Sequence, residues 1–170
     1  MEMTGLNPDK DTIMEAACVV TEADLSEVAR IDKIVVHHPS YVLNAMDEWC
    51  KTTHGKSGLT AECLQSTLSI QEAEDRILKL LVEHTNPGEA PLGGNSVHAD
   101  RMFIRRYLPR VYDHLNYRII DVSSIRELCH RWNLSVFEKR PRKGENHRAL
   151  EDILESIEEL KYFKEHFLIT

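Results

Sequence analysis

Short runs of β-branched residues alternate with longer amphipathic runs along this chain, and that alternation limits the folds open to it. Segments 13–20 and 33–37 are apolar and β-branched, and the polar stretch 21–30 between them suits a hairpin connection. The run SIQEAEDRILKLLVEH opens with a capping box from Ser69 to Glu72 and has the apolar spacing of a helix. Strands alternating with helices in one unit predict an α/β layered fold with a mixed sheet.

The second half continues the alternation. A strand-like approach to Gly93 and Gly94 precedes a helical run at 98–107, and segment 117–122 is predicted to be a buried strand. Ser124 with Glu127 is predicted to cap the next helix. A polar loop at 138–146 precedes a long terminal helix. The apolar positions of these two helices are Ile125, Leu128, Cys129 and Trp132, then Leu150, Ile153, Ile157 and Leu160.

Length and charge restrict the function. A chain of 170 residues has the size of one domain with one core. Its net charge of −7 argues against a broad basic face that grips long nucleic acid, but allows a short ligand held by a few cations. No apolar run approaches the ~18 residues of a membrane span. The N-terminus resembles neither a signal nor a transit peptide, so a cytoplasmic location is predicted, or a mitochondrial one if a longer N-terminus exists.

Several reactive side chains have plain interpretations. The cysteines Cys18, Cys50, Cys63 and Cys129 are far apart in sequence and are predicted to be reduced, mostly buried thiols. His37 and His38 have no further metal ligands nearby and are interpreted as a surface strand end. The basic run Lys139, Arg140, Arg142 and Lys143 is interpreted as a solvated loop, with RNA contact or targeting as alternatives.

Three acids, Glu2, Asp100 and Asp152, stand next to predicted element boundaries, and His147 precedes Asp152 by five residues. Taken singly, an acid near a helix start is usually a cap or a dipole partner, and a histidine in a polar loop is usually solvated. Their flanking sequences carry more information than the residues alone.

Five blocks resemble the oligoribonuclease family in order and spacing. They are EMTGL at 2–6, DEWC at 47–50, GNSVHADRMF at 94–103, YRIIDVSSIRELCHRW at 117–132 and HRALEDILESIEEL at 147–160. The resemblance implies a DEDD-type 3′→5′ exonuclease of the catalytic-histidine subtype, with a ribonuclease-H-like mixed sheet flanked by helices. It further implies one exonuclease domain over residues 1–170 that degrades short single-stranded oligoribonucleotides, especially dinucleotides, by two-metal-ion hydrolysis.

The resemblance also implies the roles of the acids and the histidine. Glu2, Asp100 and Asp152 are expected to be catalytic carboxylates that hold Mg²⁺ or Mn²⁺, two ions per active site in the intact family. His147 is expected to be the general base on the attacking water. The ordinary histidine pKa of about 6.5 lies close to working pH, which favours that role.

Substrate contacts follow from the same resemblance. Leu6 is expected to wedge between two bases, and Trp49 to stack on a base, a contact worth ~1–3 kcal/mol, with a core aromatic as the alternative for Trp49. A cap on the 5′ phosphate, which restricts substrate length, is expected from Ser96, Arg118 and Ser123. Tyr117 is expected to reach the partner's site across a homodimer, and His54 to lie near the substrate.

One feature departs from the family pattern. The first family motif is Asp-x-Glu at the end of a central strand, and here only Met1 precedes Glu2, so the first strand and its Asp are expected to be missing. Because that Asp contacts both metal ions in the family, this polypeptide is expected to bind one ion weakly and to hydrolyse little. An incomplete gene model, an alternative start and a product retained in this form stay open. The alternative function is a non-catalytic protein that binds short nucleotides or dimerises with an intact subunit.

Overall fold

Two small sheets are flanked by helices in the computed structural model, which describes residues 1–142, 144 and 148–168. The first sheet is antiparallel, in the order β1 (Glu2–Met3), β2 (Ile13–Thr21) and β3 (Glu27–Val35). The second sheet pairs β4 (Leu92–Gly94) in parallel with β5 (Ile119–Asp121). The predicted α/β class, with strands in both orientations, is confirmed.

The helices connect and cover these strands. In chain order they are α1 (Ser40–Asn44), α2 (Glu48–Lys56), α3 (Leu59–Gln65), α4 (Ile70–His84), α5 (Val97–Tyr107), α6 (Pro109–His114), α7 (Val122–Trp132), α8 (Leu134–Glu138) and α9 (Ala149–Phe163), which continues as a π-helical segment, Lys164–Leu168. The predicted capping box of α4 is confirmed: the Ser69 hydroxyl accepts from the Glu72 amide, and the Glu72 carboxylate accepts from the Ser69 amide. Within the described ranges, no helix is long and apolar enough to cross a membrane.

The first sheet separates two apolar clusters because successive strand residues face opposite sides. Ile13 and Ile34 pack with Ile77 of α4 and Phe103 of α5 on one side. On the other side, Met14 belongs to a buried cluster with residues of α1, α2 and α3. The core thus fixes helices on both faces of β2, which is the central strand of its sheet.

Some predicted boundaries and burials are wrong. Strand β3 begins at Glu27, within the stretch predicted as a connection. Strand β5 is not buried: Ile119 is 37% exposed and Ile120 42%, because among the described residues β5 pairs only with β4, in a sheet of two strands. His38 is not at the surface. It is 8% exposed, and its Nε2 donates to the Ile13 carbonyl oxygen at 2.8 Å.

Helix α7 also differs from its prediction. Asp121, and not Ser124 with Glu127, caps the helix, because the Asp121 carboxylate accepts from the Ser123 amide at 3.0 Å. Cys129 is buried as expected, but Leu128 is 39% exposed and Trp132 71%. The predicted core face of α7 is therefore only partly buried, and Leu128 and Trp132 form an apolar stripe on the surface.

A buried ion pair joins α9 to β2. Glu15 on β2 is 1% exposed, and its Oε2 accepts from Arg148 Nε at 3.0 Å and Nη2 at 2.6 Å. Glu15 Oε1 also accepts from the Ala149 amide at 2.9 Å, at the first turn of α9. Arg148 Nη1 donates to Glu62 of α3 at 2.9 Å. The start of α9 is therefore held against β2 by charge and by the fork geometry of arginine.

Replacing Arg148 tests this anchor. Arg148→Met leaves the Glu15 carboxylate buried without its cation, and we expect the free energy of unfolding to fall by about 3–5 kcal/mol in urea denaturation. The control is Arg131→Met, which removes an exposed pair with Glu127 and is expected to cost at most about 1 kcal/mol. Equal losses in the two variants would contradict the role assigned to the anchor.

Candidate active site

Three separate elements bring the predicted acids together. Glu2 lies on β1, Asp100 in the first turn of α5 and Asp152 in the first turn of α9. The Glu2 and Asp152 carboxyl groups are hydrogen-bonded. Asp100 Oδ1 accepts from the α-amino group of Met1 at 3.0 Å. The result is an acidic cluster beside β1 in which Glu2 is buried and Asp100 and Asp152 are half-buried.

The environment changes the acidity of Glu2. The pKa of Glu2 is raised to about 7, first by burial and then by the nearby Asp152 carboxyl, against the Met1 ammonium, which lowers it. Glu15, its partner across the β1–β2 ladder, also raises the pKa. Crowded carboxyl groups of this kind are disfavoured as separate anions and gain from a nearby cation.

The acidic cluster has the donor atoms of a metal site but not a preformed ligand set. Within the part of the chain that the structure describes, no three His, Cys, Asp or Glu side chains form a ready-made metal site. The carboxyl oxygens of Glu2 and Asp152, which are hydrogen-bonded, and of Asp100, which joins them through the Met1 amine, are nevertheless hard donors. The donor set therefore fits a divalent cation with oxygen ligands.

Two histidines were predicted at the site, His147 and His54. His147 lies outside the described residues, although the next residue in sequence is Arg148, which is bound to Glu15. His54 is 1% exposed on α2, and its Nε2 donates to the Met3 carbonyl oxygen at 3.0 Å. Its Nδ1 is 3.8 Å from Glu2 Oε2, so His54 lies directly behind the acidic cluster.

Leu6 and Trp49 are both exposed to solvent. Leu6, 74% exposed, is in the loop between β1 and β2. That loop is closed by a hydrogen bond from the Thr4 amide to the Thr12 carbonyl at 3.0 Å. Trp49, 60% exposed, lies in the first turn of α2 behind its cap, Asp47, so its alternative interpretation as a core aromatic is wrong. Both side chains can offer an apolar face to a nucleobase.

Ser96 and Ser123 meet because β4 and β5 are parallel, so their carboxyl ends lie at the same edge of the sheet. Ser96 follows β4 and Ser123 follows β5, and their hydroxyl oxygens are 3.2 Å apart. The Ser96 amide donates to Ser123 Oγ and to Asp121 Oδ1, both at 2.9 Å. Ser96 takes a left-handed conformation with φ of 51° to make these contacts.

Tyr117 and Arg118 directly precede β5, at the end of that strand opposite to Ser123. The Arg118 guanidinium carbon is 4.4 Å from the centre of the Tyr117 ring, and Tyr117 is 71% exposed. In the described ranges no carboxylate forms an ion pair with Arg118, so its charge is available to an anion. Two hydroxyl groups and this guanidinium have the chemistry of a phosphate-binding site.

Sequence reasoning missed the residues that support these groups. Glu15 and Arg148 were not singled out, although a charged residue inside the apolar strand run MEAACVV is a signal of a buried partner. Asn95, which contacts Ser123 and Arg126, was also missed. The basic run is only partly described: Arg140 packs over the Phe137 ring, whereas Lys143 lies outside the described residues.

Known nucleases resemble this chain over nearly its whole length. A family model described as exonuclease, of the RNase T type, matches residues 1–160. An oligoribonuclease from Bordetella pertussis is 49% identical over 168 residues, covering 99% of this chain and 92% of that protein. The mitochondrial oligoribonucleases of Bos taurus and Homo sapiens are 47% and 46% identical over 164 residues, covering 96% of this chain and 69% of theirs.

The pKa of Glu2 predicts a pH-dependent loss of stability. Folding raises the pKa of the Glu2 carboxyl group from about 4.3 to about 7. The folded state therefore has its full stability below about pH 4. That stability falls as the pH rises from about 4 to about 7, because the unfolded chain ionises first. In EDTA, the free energy of unfolding of Glu2→Gln should therefore rise relative to the unchanged chain between about pH 4 and 8, by an amount on the order of 3 kcal/mol.

The matched control is Glu83→Gln, on the exposed side of α4, which should show no such trend. Parallel pH curves for the unchanged chain and Glu2→Gln would show that Glu2 is not buried among other acids.

Proposed function

We propose a mechanism from the premise that this chain belongs to the oligoribonuclease family, whose members are 3′→5′ exoribonucleases of short oligoribonucleotides. In this proposal the chain hydrolyses dinucleotides to mononucleotides at the acidic cluster. The observation that carries it is the placement of two sites on one helix: Ser96 stands before α5, and Asp100 is one turn further on. Four residues of helix span about 6 Å, a distance that a dinucleotide can bridge.

The acidic cluster is the hydrolytic site in this proposal. Glu2, Asp100 and Asp152 hold the divalent cations, Mg²⁺ or Mn²⁺, as oxygen ligands. When bound, those ions offset the charge that develops on the phosphoryl oxygens. His147 accepts the proton of the attacking water, and its neighbour Arg148 fixes the adjoining backbone on β2.

Recognition in this proposal uses groups that do not read base identity. Leu6 separates the two bases and Trp49 stacks on one of them. The 5′ phosphate is bound by Ser96, Ser123 and Arg118. His54 lies near the substrate site and acts on it through Glu2, which it faces. Because these groups close over the 5′ end, longer chains meet them as an obstacle, so selection is by length.

We also propose a homodimer in which Tyr117 reaches the partner's site. Helix α7 exposes Leu128 and Trp132, four residues apart on one face, and Leu134 follows at 53% exposure. An apolar stripe of this kind on a negatively charged protein favours contact with another apolar surface, and a second copy of the chain supplies one.

Domain organisation and location are proposals too. Residues 1–170 are proposed to form one exonuclease domain, since the family model covers 1–160. The protein is proposed to act in the cytoplasm. A mitochondrial location is the alternative, because the bovine and human relatives are named mitochondrial.

A second candidate function is binding of a short nucleotide without hydrolysis. The observation that favours it is the exposure of Leu6 and Trp49, whose apolar faces can contact nucleobases independently of a metal ion. In that case the serine pair holds the phosphate and the acidic cluster carries out no hydrolysis.

Cleavage of a labelled diribonucleotide with Mn²⁺ tests the two candidates. We compare the unchanged chain with Asp152→Asn. We expect the unchanged chain to be at least about 100-fold faster, since even residues behind metal ligands change activity about 10–100-fold. Equal cleavage by folded Asp152→Asn would refute the role of the acidic cluster. Binding of the dinucleotide by the folded unchanged chain with no cleavage would refute the enzyme assignment and favour binding.

The dimer is tested by changing the apolar stripe. Trp132→Glu places a charge where the proposed interface excludes water, so sedimentation equilibrium should show a dimer for the unchanged chain and a monomer for the variant. Val82→Glu, on the exposed face of α4, is the control and should remain dimeric. A monomeric unchanged chain at tens of micromolar would contradict the proposal.

A further inference from the structure

We propose that Asn95 is the positioning residue of the 5′-phosphate cap, and that Arg126, anchored on Glu159, holds the Asn95 amide in place. This inference rests on the proposed function, because it assigns a support to the serine pair that binds the phosphate there. Neither Asn95 nor Arg126 touches the substrate in this account. Their role is to fix where the hydroxyl groups of Ser96 and Ser123 lie.

The Asn95 amide contacts three side chains. Its Oδ1 accepts from Ser123 Oγ at 3.1 Å and from Arg126 Nη2 at 2.7 Å. Its Nδ2 donates to Ser156 Oγ at 2.8 Å. Arginine can only donate hydrogen bonds, so the amide atom facing Arg126 must be the oxygen. The orientation of the amide, and with it the partner of Ser123, is therefore determined by Arg126.

Arg126 is itself held rigidly. Its Nε and Nη2 donate to the two carboxylate oxygens of Glu159 at 2.7 and 2.6 Å, and Glu159 is 1% exposed on α9. A planar guanidinium bound at two points has little freedom, so the nitrogen that it presents to Asn95 is fixed as well. The chain of contacts starts in the core and ends at the serine pair.

This arrangement lets Ser123 exchange partners at low cost. When the Ser123 hydroxyl turns toward a phosphate oxygen, Asn95 Oδ1 still accepts from Arg126 and does not become an unsatisfied buried acceptor. The Ser96 amide continues to donate to Asp121. The cap can therefore offer a hydroxyl donor to a phosphate without opening the network behind it.

The same amide connects the cap to the acidic cluster. Ser156, which accepts from Asn95 Nδ2, donates its hydroxyl to the Asp152 carbonyl oxygen at 2.6 Å. Asn95 thus bridges the phosphate-binding edge of β4 and the helix that carries Asp152. In this proposal the bridge sets the distance between the 5′ phosphate and the acids. Selection of substrates by length depends on that distance.

The test compares binding of two ligands that differ only in the 5′ phosphate, diadenylate with it (pApA) and without it (ApA). Dissociation constants are measured with Ca²⁺ for the unchanged chain, Asn95→Ala, Arg126→Gln and Arg126→Lys. We expect the preference for pApA to fall about tenfold in Asn95→Ala and Arg126→Gln, equivalent to about 1.4 kcal/mol. Binding of ApA should remain unchanged. Arg126→Lys should retain part of the preference, because one ammonium cannot reproduce the fork.

Two control variants remove similar groups elsewhere. Arg131→Gln lies on the same helix as Arg126 but pairs with the exposed Glu127, and Asn86→Ala lies in a distant turn against Glu89. Both should keep the full preference for pApA. Melting temperatures are recorded for every variant, and Arg126→Lys provides the test if Asn95→Ala does not fold.

Each outcome decides a different point. A full preference for pApA in folded Asn95→Ala, or in both Arg126 variants, overturns the inference. An equal weakening of pApA and ApA also overturns it, because that is the effect of general destabilisation. If the unchanged chain itself binds pApA and ApA equally, the proposed phosphate cap is wrong and the inference falls with it.

Discussion

The ion pair between Glu15 and Arg148 determines where the terminal helix meets the sheet. Glu15 lies on the central strand of its sheet and next to Glu2 across the ladder, while Arg148 precedes the helix that carries Asp152. A buried pair of this kind adds little net stability over an apolar contact, but removing one partner is costly. Its value here is geometric: it holds elements that are more than a hundred residues apart in sequence, so that carboxyl groups from β1 and α9 can share one site.

A second constraint comes from the parallel pairing of β4 with β5. Their carboxyl ends meet at one edge, which brings Ser96 and Ser123 within 3.2 Å. Helix α5 then starts from that edge and presents Asp100 one turn later. The serine hydroxyl groups that we propose as phosphate ligands and the acidic cluster are therefore neighbours because of chain topology. The buried pair Arg126–Glu159 connects the same edge to α9.

Sequence patterns predicted where helices and strands lie better than they predicted which residues are buried. The capping box identified α4, because that signal is local, and motif blocks identified the acids that the structure brings together. The sequence did not reveal polar residues that are buried through a partner: Glu159 is buried on α9 by Arg126, and His38, predicted at the surface, by the Ile13 carbonyl. Apolar periodicity itself was wrong at Trp132, which has core spacing but is 71% exposed. Such cases depend on partners distant in sequence, which periodicity does not contain.

The central claim is that the serine pair and the acidic cluster together select substrates by length. The most direct test is the affinity of this polypeptide for 5′-phosphorylated oligoadenylates of two to seven nucleotides, measured by competition in Ca²⁺. We expect the tightest binding for the dinucleotide and a steep loss of affinity as nucleotides are added, because the closed 5′ end leaves no room for them. Affinity that stays level or increases with length would contradict it, because it would mean that the site is open at its 5′ side.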